Sequence, residues 1–150
     1  MWESAITAYL HYSSFMLAFA ALTVESLTLQ PGLSVAQAWR LAIADGVYGI
    51  SATTVLVTGV LRVLYFGKGT EYYLHNPFFW IKIGLFLVVG LLSLYPTISF
   101  LLWLKPIRQN QPPKLEKAQV QRLTWLIRGE LLGLFLIPFF AAVMARGIAL

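Results

Sequence analysis

Four long apolar stretches fill almost the whole of this chain and limit what it can fold into. They cover about residues 6–29, 35–66, 77–104 and 120–144. A helix of about 20 residues crosses the roughly 30 Å hydrocarbon core of a bilayer, so each stretch is long enough to span it. Lipid offers an open backbone no hydrogen-bond partners, which leaves helices as the structure for such stretches. We therefore predict an all-α integral membrane four-helix bundle, a single domain over 1–150, with antiparallel neighbours because the connections are short.

Composition excludes most soluble classes. Only 11% of the residues are charged and 59% are hydrophobic, whereas an ordinary soluble domain carries about 25% charged residues. The chain has no cysteine, which excludes disulfides, iron–sulfur clusters, thiolate zinc sites and covalent attachment of haem through Cys-x-x-Cys-His. The net charge is +5, but most basic residues flank apolar stretches, where topology and anionic headgroups explain them. We expect the lipid bilayer as partner and no nucleic acid.

Local signals place the helix ends. A helix stop and turn at Gln30-Pro31-Gly32 precede Ser34, a candidate N-cap, and Gly67-Lys68-Gly69 ends the second stretch. Asn76-Pro77 combines an N-cap with a proline at the first helical position. Pro96 and Pro138 lie inside the last two stretches, where neighbouring helices can satisfy the freed carbonyls. We expect kinks there and not breaks.

Residues 105–121 contain three prolines and clustered charge, so they form the one clear extramembrane loop. The orientation follows from the basic residues on each side of the bilayer. The side of this loop has Arg40, Lys105, Arg108, Lys114, Lys117 and Arg122, and the other side has Arg62, Lys68, Lys82 and Arg146. The excess predicts a multi-pass protein of the plasma (inner) membrane with both termini outside and the loop 105–121 cytoplasmic.

Ionisable residues within the stretches are the informative ones, because each costs about 2.5 to 3.5 kcal/mol at a helix centre on insertion scales. Toward the cytoplasmic side, three acids meet three arginines, and we predict a structural charge cluster of Glu25, Arg40, Asp45, Arg122, Arg128 and Glu130. Toward the outer side lie His11, Arg62, Lys82 and His75, with no acid at their depth. An anionic cofactor would neutralise them, so the outer half is the predicted working site.

The outer residues allow two interpretations. His11 either hydrogen-bonds across the bundle or ligates a haem iron through its imidazole. His75 is a solvated loop histidine or a second ligand. Lys82 reaches the interface beside Trp80 or contacts an anionic group such as a porphyrin propionate, where it is also the candidate catalytic residue. Haem b is thus the suspected cofactor, with His11, His75 and Lys82 as its candidate contacts and His11 as the metal ligand.

One further motif concerns helix packing. Gly129 and Gly133 form a G-x-x-x-G in the fourth stretch, a pattern that lets helices approach closely. It serves either the bundle itself or a homo-oligomer.

Short motifs run along nearly the whole chain. They are Tyr9-Leu-His11, Arg40 with Asp45-Gly-Val-Tyr48-Gly49, Gly59-x-x-Arg62, Phe66-Gly-Lys68-Gly69, Asn76-Pro77-Phe-Phe-Trp80-x-Lys82, Leu92-Ser93-x-Tyr95-Pro96-Thr97 and Ala142-x-Met144-Ala-Arg146-Gly147. In these motifs the chain resembles a bacterial family of small predicted four-helix membrane proteins classified as of unknown function.

A looser resemblance concerns the layout of polar residues. A histidine in the first helix, an arginine ahead of the second, a Trp-x-Lys opening the third and an Arg-x-Glu in the fourth are similar to the HemJ-type protoporphyrinogen oxidases, small membrane proteins that bind haem b. This resemblance implies that His11 ligates the haem, Lys82 is the essential lysine, and Arg128 with Glu130 is the fourth-helix pair. The expected function is then haem b-binding and redox-active, either porphyrinogen oxidation or electron transfer to an unknown membrane partner. The alternative is a non-enzymatic assembly or interaction subunit.

Overall fold

The protein is a bundle of four long helices with one short helix. The structure, a computed structural model, describes residues 1–148. The helices are α1 (Trp2–Thr28), α2 (Val35–Leu61), α3 (Thr70–Leu74), α4 (Pro77–Arg108) and α5 (Lys117–Ala145), and α2 continues as a π-helix over Arg62–Phe66. No strand occurs in residues 1–148. The predicted all-α class is confirmed.

The long helices form a closed ring. The pairs in contact are α1 with α2, α2 with α4, α4 with α5, and α5 with α1, and each pair is antiparallel along the chain. All four are long and apolar enough to cross a membrane. We call the end with the start of α1 the His11 end and the opposite end, which carries the 109–116 connection, the Lys105 end. The predicted antiparallel order is confirmed.

The capping residues act as the sequence indicated. The Ser34 side chain accepts a hydrogen bond from the Gln37 backbone N–H, and the Gln37 side chain accepts one from the Ser34 N–H, which completes a capping box. Asn76 caps α4 by accepting from the Phe78 N–H, with Pro77 at the first helical position. These bonds satisfy backbone donors that the first helical turn leaves free.

Three helices extend beyond the predicted apolar stretches. α1 begins at Trp2, α4 continues through Pro106 to Arg108, and α5 begins at Lys117, so the α4–α5 connection is shorter than predicted. Helical hydrogen bonds persist outside the hydrocarbon, and the basic residues Lys105 and Arg108 suit the negative C-terminal end of the α4 dipole. Hydropathy therefore predicts only the part of each helix that lies in the hydrocarbon core, and not the turns that extend beyond it. Both α4 and α5 continue unbroken through Pro96 and Pro138.

Two apolar clusters fill the interior. The larger one contains Leu22, Leu41, Val89, Phe100, Leu123 and Ile127. The smaller one, at the His11 end, contains Tyr73, Phe78, Phe79 and Met144. The Tyr72 hydroxyl donates to the Met144 carbonyl at 2.7 Å, which ties α3 to the end of α5. Sequence analysis did not predict α3, because five residues are too few to show a helical hydrophobic period.

The G-x-x-x-G motif packs α5 against α4. A Cβ atom at Gly133 would collide with the Val89 side chain, and one at Gly129 would lie 3.4 Å from Leu92 Cδ1. Both glycines therefore serve close packing within the chain. Of the two predicted uses of this motif, the structure shows packing within the bundle, and the homo-oligomer stays a prediction. Large exposed apolar side chains cover the outside of the bundle, as lipid contact requires, among them Ile50, Leu91, Leu102 and Phe135.

Candidate functional site

His11 is anchored to α2 by one ring nitrogen. Its Nδ1 lies 3.1 Å from the Val55 carbonyl oxygen and 3.0 Å from Thr58 Oγ1. A carbonyl only accepts, and the Thr58 hydroxyl gives its own hydrogen to the Thr54 carbonyl at 2.6 Å. Nδ1 must therefore carry the imidazole proton. In the neutral ring the lone pair lies on Nε2, and no hydrogen bond within residues 1–148 reaches that atom.

The approach of His11 to α2 depends on a glycine. A Cβ atom at Gly59 would lie 3.3 Å from Cε1 of the imidazole, tighter than most side-chain contacts. Gly59 thus lets the ring lie close to the α2 backbone and reach Val55. Sequence analysis included this glycine in a motif but gave it no role.

Arg62 lies where α2 changes from α-helix to π-helix. Its guanidinium carbon lies 4.8 Å from the centre of the Tyr12 ring, a cation–π contact. Its Nη1 is buried and has no hydrogen-bond partner. Single π-turns within helices are frequent at functional sites. A buried guanidinium nitrogen with a free donor is a place where an anion would bind.

Lys82 completes a basic group at this end. It is partly buried on α4, with its Nζ 5.7 Å from the centre of the Phe79 ring. Lys82 and Arg62 are both near enough to His11 for their charges to act on the imidazole. The structure therefore brings His11 and Lys82 together and adds Arg62. Within residues 1–148 no acid forms an ion pair with any of these three residues.

His75 does not join this group. It follows α3 outside the bundle, and its side chain is 78% exposed. Its Nδ1 contacts the Glu71 carbonyl oxygen at 2.9 Å and the Glu71 carboxylate at 3.2 Å. The interpretation as a solvated loop histidine matches this position.

An apolar groove lies between α1 and α5, with a cavity volume of about 780 Å³. Phe15 and Phe19 of α1 and Pro138 and Phe139 of α5 are among the residues that line it. Phe15 is one helical turn from His11 and about 40° around the α1 axis. His11, Arg62 and Lys82 are not among the residues that line the groove, so Phe15 is its link along α1 to the basic group.

The acids toward the Lys105 end are arranged differently from the prediction. Glu130 is 0% exposed, Glu25 is 1% exposed and Asp45 is 8% exposed, and they come from three different helices. Their carboxyl groups are near enough for their charges to interact. Both carboxyl oxygens of Glu130 and Oε1 of Glu25 are buried and have no hydrogen-bond partner within residues 1–148. We call Glu25, Asp45 and Glu130 the carboxyl cluster.

The arginines expected to pair with these acids lie on the surface. Arg40, Arg122 and Arg128 are exposed. Arg122 donates to the Tyr95 hydroxyl at 3.4 Å, and Arg128 lies over the Trp125 ring. In the part of the chain that the structure describes, no ion pair joins them to the carboxyl cluster. The predicted pairing is wrong because the acids are buried inside the bundle and the arginines are exposed. For Arg128 and Glu130 the helix itself separates the two side chains, since residues two apart lie about 200° apart around its axis.

Asp45 alone has a hydrogen-bond donor. The Thr97 hydroxyl of α4 donates to Asp45 Oδ1 at 2.7 Å. Tyr48, one turn along α2 from Asp45, is buried near all three acids. All four long helices thus contribute a polar side chain here. Sequence analysis included Thr97 in a motif but did not connect it to Asp45.

The fold and the polar interior define a membrane protein with four candidate spans. The chain belongs to the family described as "Predicted membrane protein (DUF2214)", whose model matches residues 3–149. The function of that family is unknown, so the match establishes the class of protein and no activity. No curated protein and no solved structure matches the chain. The comparisons therefore give the HemJ resemblance no support.

Proposed function

We propose that the His11 end binds haem b, with the iron held by His11 Nε2, and that the protein is redox-active in the membrane. The observation that carries this proposal is the hydrogen bonding of Nδ1 to Val55 and Thr58. Histidines that ligate metals commonly donate their other ring N–H to a carbonyl or carboxylate, which fixes the tautomer and the ring orientation. His11 has this arrangement before any ligand is considered.

The surrounding residues suit the rest of a haem molecule. Haem b has an apolar macrocycle and two anionic propionates. Arg62 offers a buried Nη1 without a partner, and Lys82 lies in the same basic group. The groove lined by Phe15 and Phe139 offers an apolar wall, and Phe15 is one turn along α1 from His11. The donor set and the charge therefore fit this cofactor.

Bound haem b would supply one-electron redox chemistry inside the bilayer. This chain's own residues would hold the group and set its surroundings: His11 orients it, Arg62 and Lys82 balance the propionate charge, and the apolar wall excludes water. The reaction would be either the oxidation of a porphyrinogen or electron transfer to a membrane partner. His75, exposed and bound to Glu71, is not part of this proposal.

A second function has its own supporting observation. Hydrogen bonds between helices stabilise bundles in lipid, and His11 already makes such bonds to Val55 and Thr58. On this view His11, Arg62 and Lys82 hold the bundle together, and the protein is a non-enzymatic assembly or interaction subunit. The two functions predict different effects of losing His11: the first predicts loss of haem binding, and the second predicts only loss of stability.

The test is the absorbance spectrum of the protein purified in detergent from cells with ample haem. We expect a Soret band in the wild type and none in His11→Gly. Imidazole added to His11→Gly restores the band, because the free ligand replaces the missing ring. His75→Ala is the matched control and retains the wild-type spectrum.

The absence of a Soret band in folded wild-type protein would contradict the proposal, as would an unchanged band in His11→Gly. If the wild type has no band and His11→Gly only lowers thermal stability, the subunit function is supported instead. Size-exclusion chromatography of each variant separates loss of haem from loss of the folded bundle.

A further inference from the structure

Among residues 1–148, no cationic side chain forms an ion pair with the carboxyl cluster. The charged and titratable groups around it are Glu25 from α1, Asp45 and Tyr48 from α2, and Glu130 from α5, while Tyr95 of α4 packs partly buried against the same core. The arginines of α2 and α5 point away to the surface. An ionised carboxylate in the interior without a cation or donor is costly, so such a group takes up a proton instead.

Glu25 and Glu130 each have at least one carboxyl oxygen that receives no hydrogen bond from residues 1–148. Neither Glu130 oxygen has a partner, and Glu25 Oε1 has none, although both side chains are at least 99% buried. Asp45 differs, because the Thr97 hydroxyl donates to it. Within residues 1–148 no group of three or more His, Cys, Asp or Glu side chains has the geometry to hold a metal ion. The ligand that fits these unpartnered oxygens is therefore a proton.

We propose that Glu25, Asp45 and Glu130 form a proton-binding site inside the membrane bundle, in which Glu25 and Glu130 hold protons and Asp45 is the member that releases one. The proton comes from water and returns to water, so no other reactant is required. This inference does not depend on haem binding.

A route for exchange runs along the buried face of α2. Asp45, Tyr48, Ser51 and Thr58 are all buried on this face, and Thr58 contacts the His11 ring. Ser14 of α1 is buried opposite, between His11 and Glu25 in sequence. Hydroxyl groups both donate and accept hydrogen bonds, so a row of them can pass a proton. We therefore expect protons to reach and leave the carboxyl cluster past Tyr48 and Ser51, although the rise of about 10 Å from Ser51 to Thr58 is too long for a direct hydrogen bond.

Infrared spectroscopy tests the site on the purified full chain. A protonated carboxyl group has a C=O stretch distinct from the carboxylate bands, and we expect it at neutral pH. Glu130→Gln and Glu25→Gln each remove part of this band. Glu116→Gln, which changes an exposed acid at the start of α5, leaves the band unchanged.

The absence of this band in the wild type, or a band that survives both substitutions, would overturn the proposal. Loss of the band on adding Na⁺ at constant pH would identify a metal cation as the ligand and would also overturn it. Gln is close to Glu in shape, and thermal stability confirms that each variant is folded.

The route is tested by the rate at which the band shifts in deuterated water. We expect Tyr48→Phe to keep the band but slow its shift several-fold, because the phenyl ring fills the same space without a hydroxyl. Tyr9→Phe, at an exposed position of α1, is the control and exchanges at the wild-type rate. An unchanged rate in Tyr48→Phe would exclude α2 as the route.

Discussion

One half of the bundle interior contains basic side chains and the other contains acidic ones, and the two halves differ in how many of these groups have partners. The His11 end gathers a histidine that is hydrogen-bonded to α2, an arginine over the Tyr12 ring and a lysine near the Phe79 ring. The carboxyl cluster gathers three acids with a single donor, Thr97. Basic side chains are long and can reach a ring or the interface, whereas short carboxyl groups stay where the helix places them. The His11 end is therefore suited to bind an anion, and the carboxyl cluster is suited to bind protons.

The largest expected effect concerns which compartment each region faces. The chain has no cysteine, so single introduced cysteines report without background. We expect Gln111→Cys, in the exposed α4–α5 connection, to resist a membrane-impermeant maleimide in intact cells and to react after lysis. Glu71→Cys, at the His11 end, reacts in both conditions. The reverse labelling pattern would contradict the predicted orientation and would place the carboxyl cluster in the outer half of the membrane.

A substitution at Gly59 should damage the His11 end selectively. A leucine there would overlap the His11 ring, and overpacking of this kind costs about 1 to 3 kcal/mol. We expect Gly59→Leu to unfold earlier in a denaturing detergent titration and to lose the His11 contacts. Gly49→Leu is the control, because nothing lies within 4 Å of a Cβ atom at that position. Equal stability of the two variants would show that His11 does not depend on this approach.

Thr97→Val removes the one donor of the carboxyl cluster while keeping the side-chain shape. Loss of a hydrogen bond to a buried acceptor costs about 1 to 3 kcal/mol. We expect a loss of stability in that range, together with a larger protonated fraction of Asp45 in the infrared band. Thr53→Val is the control, since its hydroxyl is exposed and bonds its own helix at the Gly49 carbonyl. A destabilised Thr53→Val would show that any threonine to valine change weakens the helix.

Much of the fold follows from the sequence because hydropathy and capping act locally. The capping box at Ser34 and the Asn76-Pro77 start are both predicted and observed. The arrangement of charges is not local in this way. Counting acids and arginines on one side of the membrane suggested pairs, but the face of each helix decides which side chains meet. For Arg128 and Glu130 the helical angle alone would have corrected the prediction.

Other parts of the site depend on contacts between helices. His11 on α1 bonds Val55 on α2, and Asp45 on α2 bonds Thr97 on α4. No spacing in the sequence links these positions, because the offset between neighbouring helices is fixed only when they pack. The π-turn at Arg62 and the close approach at Gly59 belong to the same class. The sequence could indicate which residues are costly in lipid, but not which of them share a pocket.

The smallest expected effect separates the pairing predicted from sequence from the unpaired cluster in the structure. An acid that already holds a proton loses no charge when it becomes an amide, so Glu130→Gln should change the stability by less than about 1 kcal/mol. An acid in a buried ion pair would instead leave its partner uncompensated, at a cost of about 3 to 5 kcal/mol. Denaturing detergent titrations of Glu130→Gln and Arg128→Gln distinguish the two cases, because a true pair would give similar large losses on either side. The exposed position of Arg128 over Trp125 predicts two small and unrelated changes.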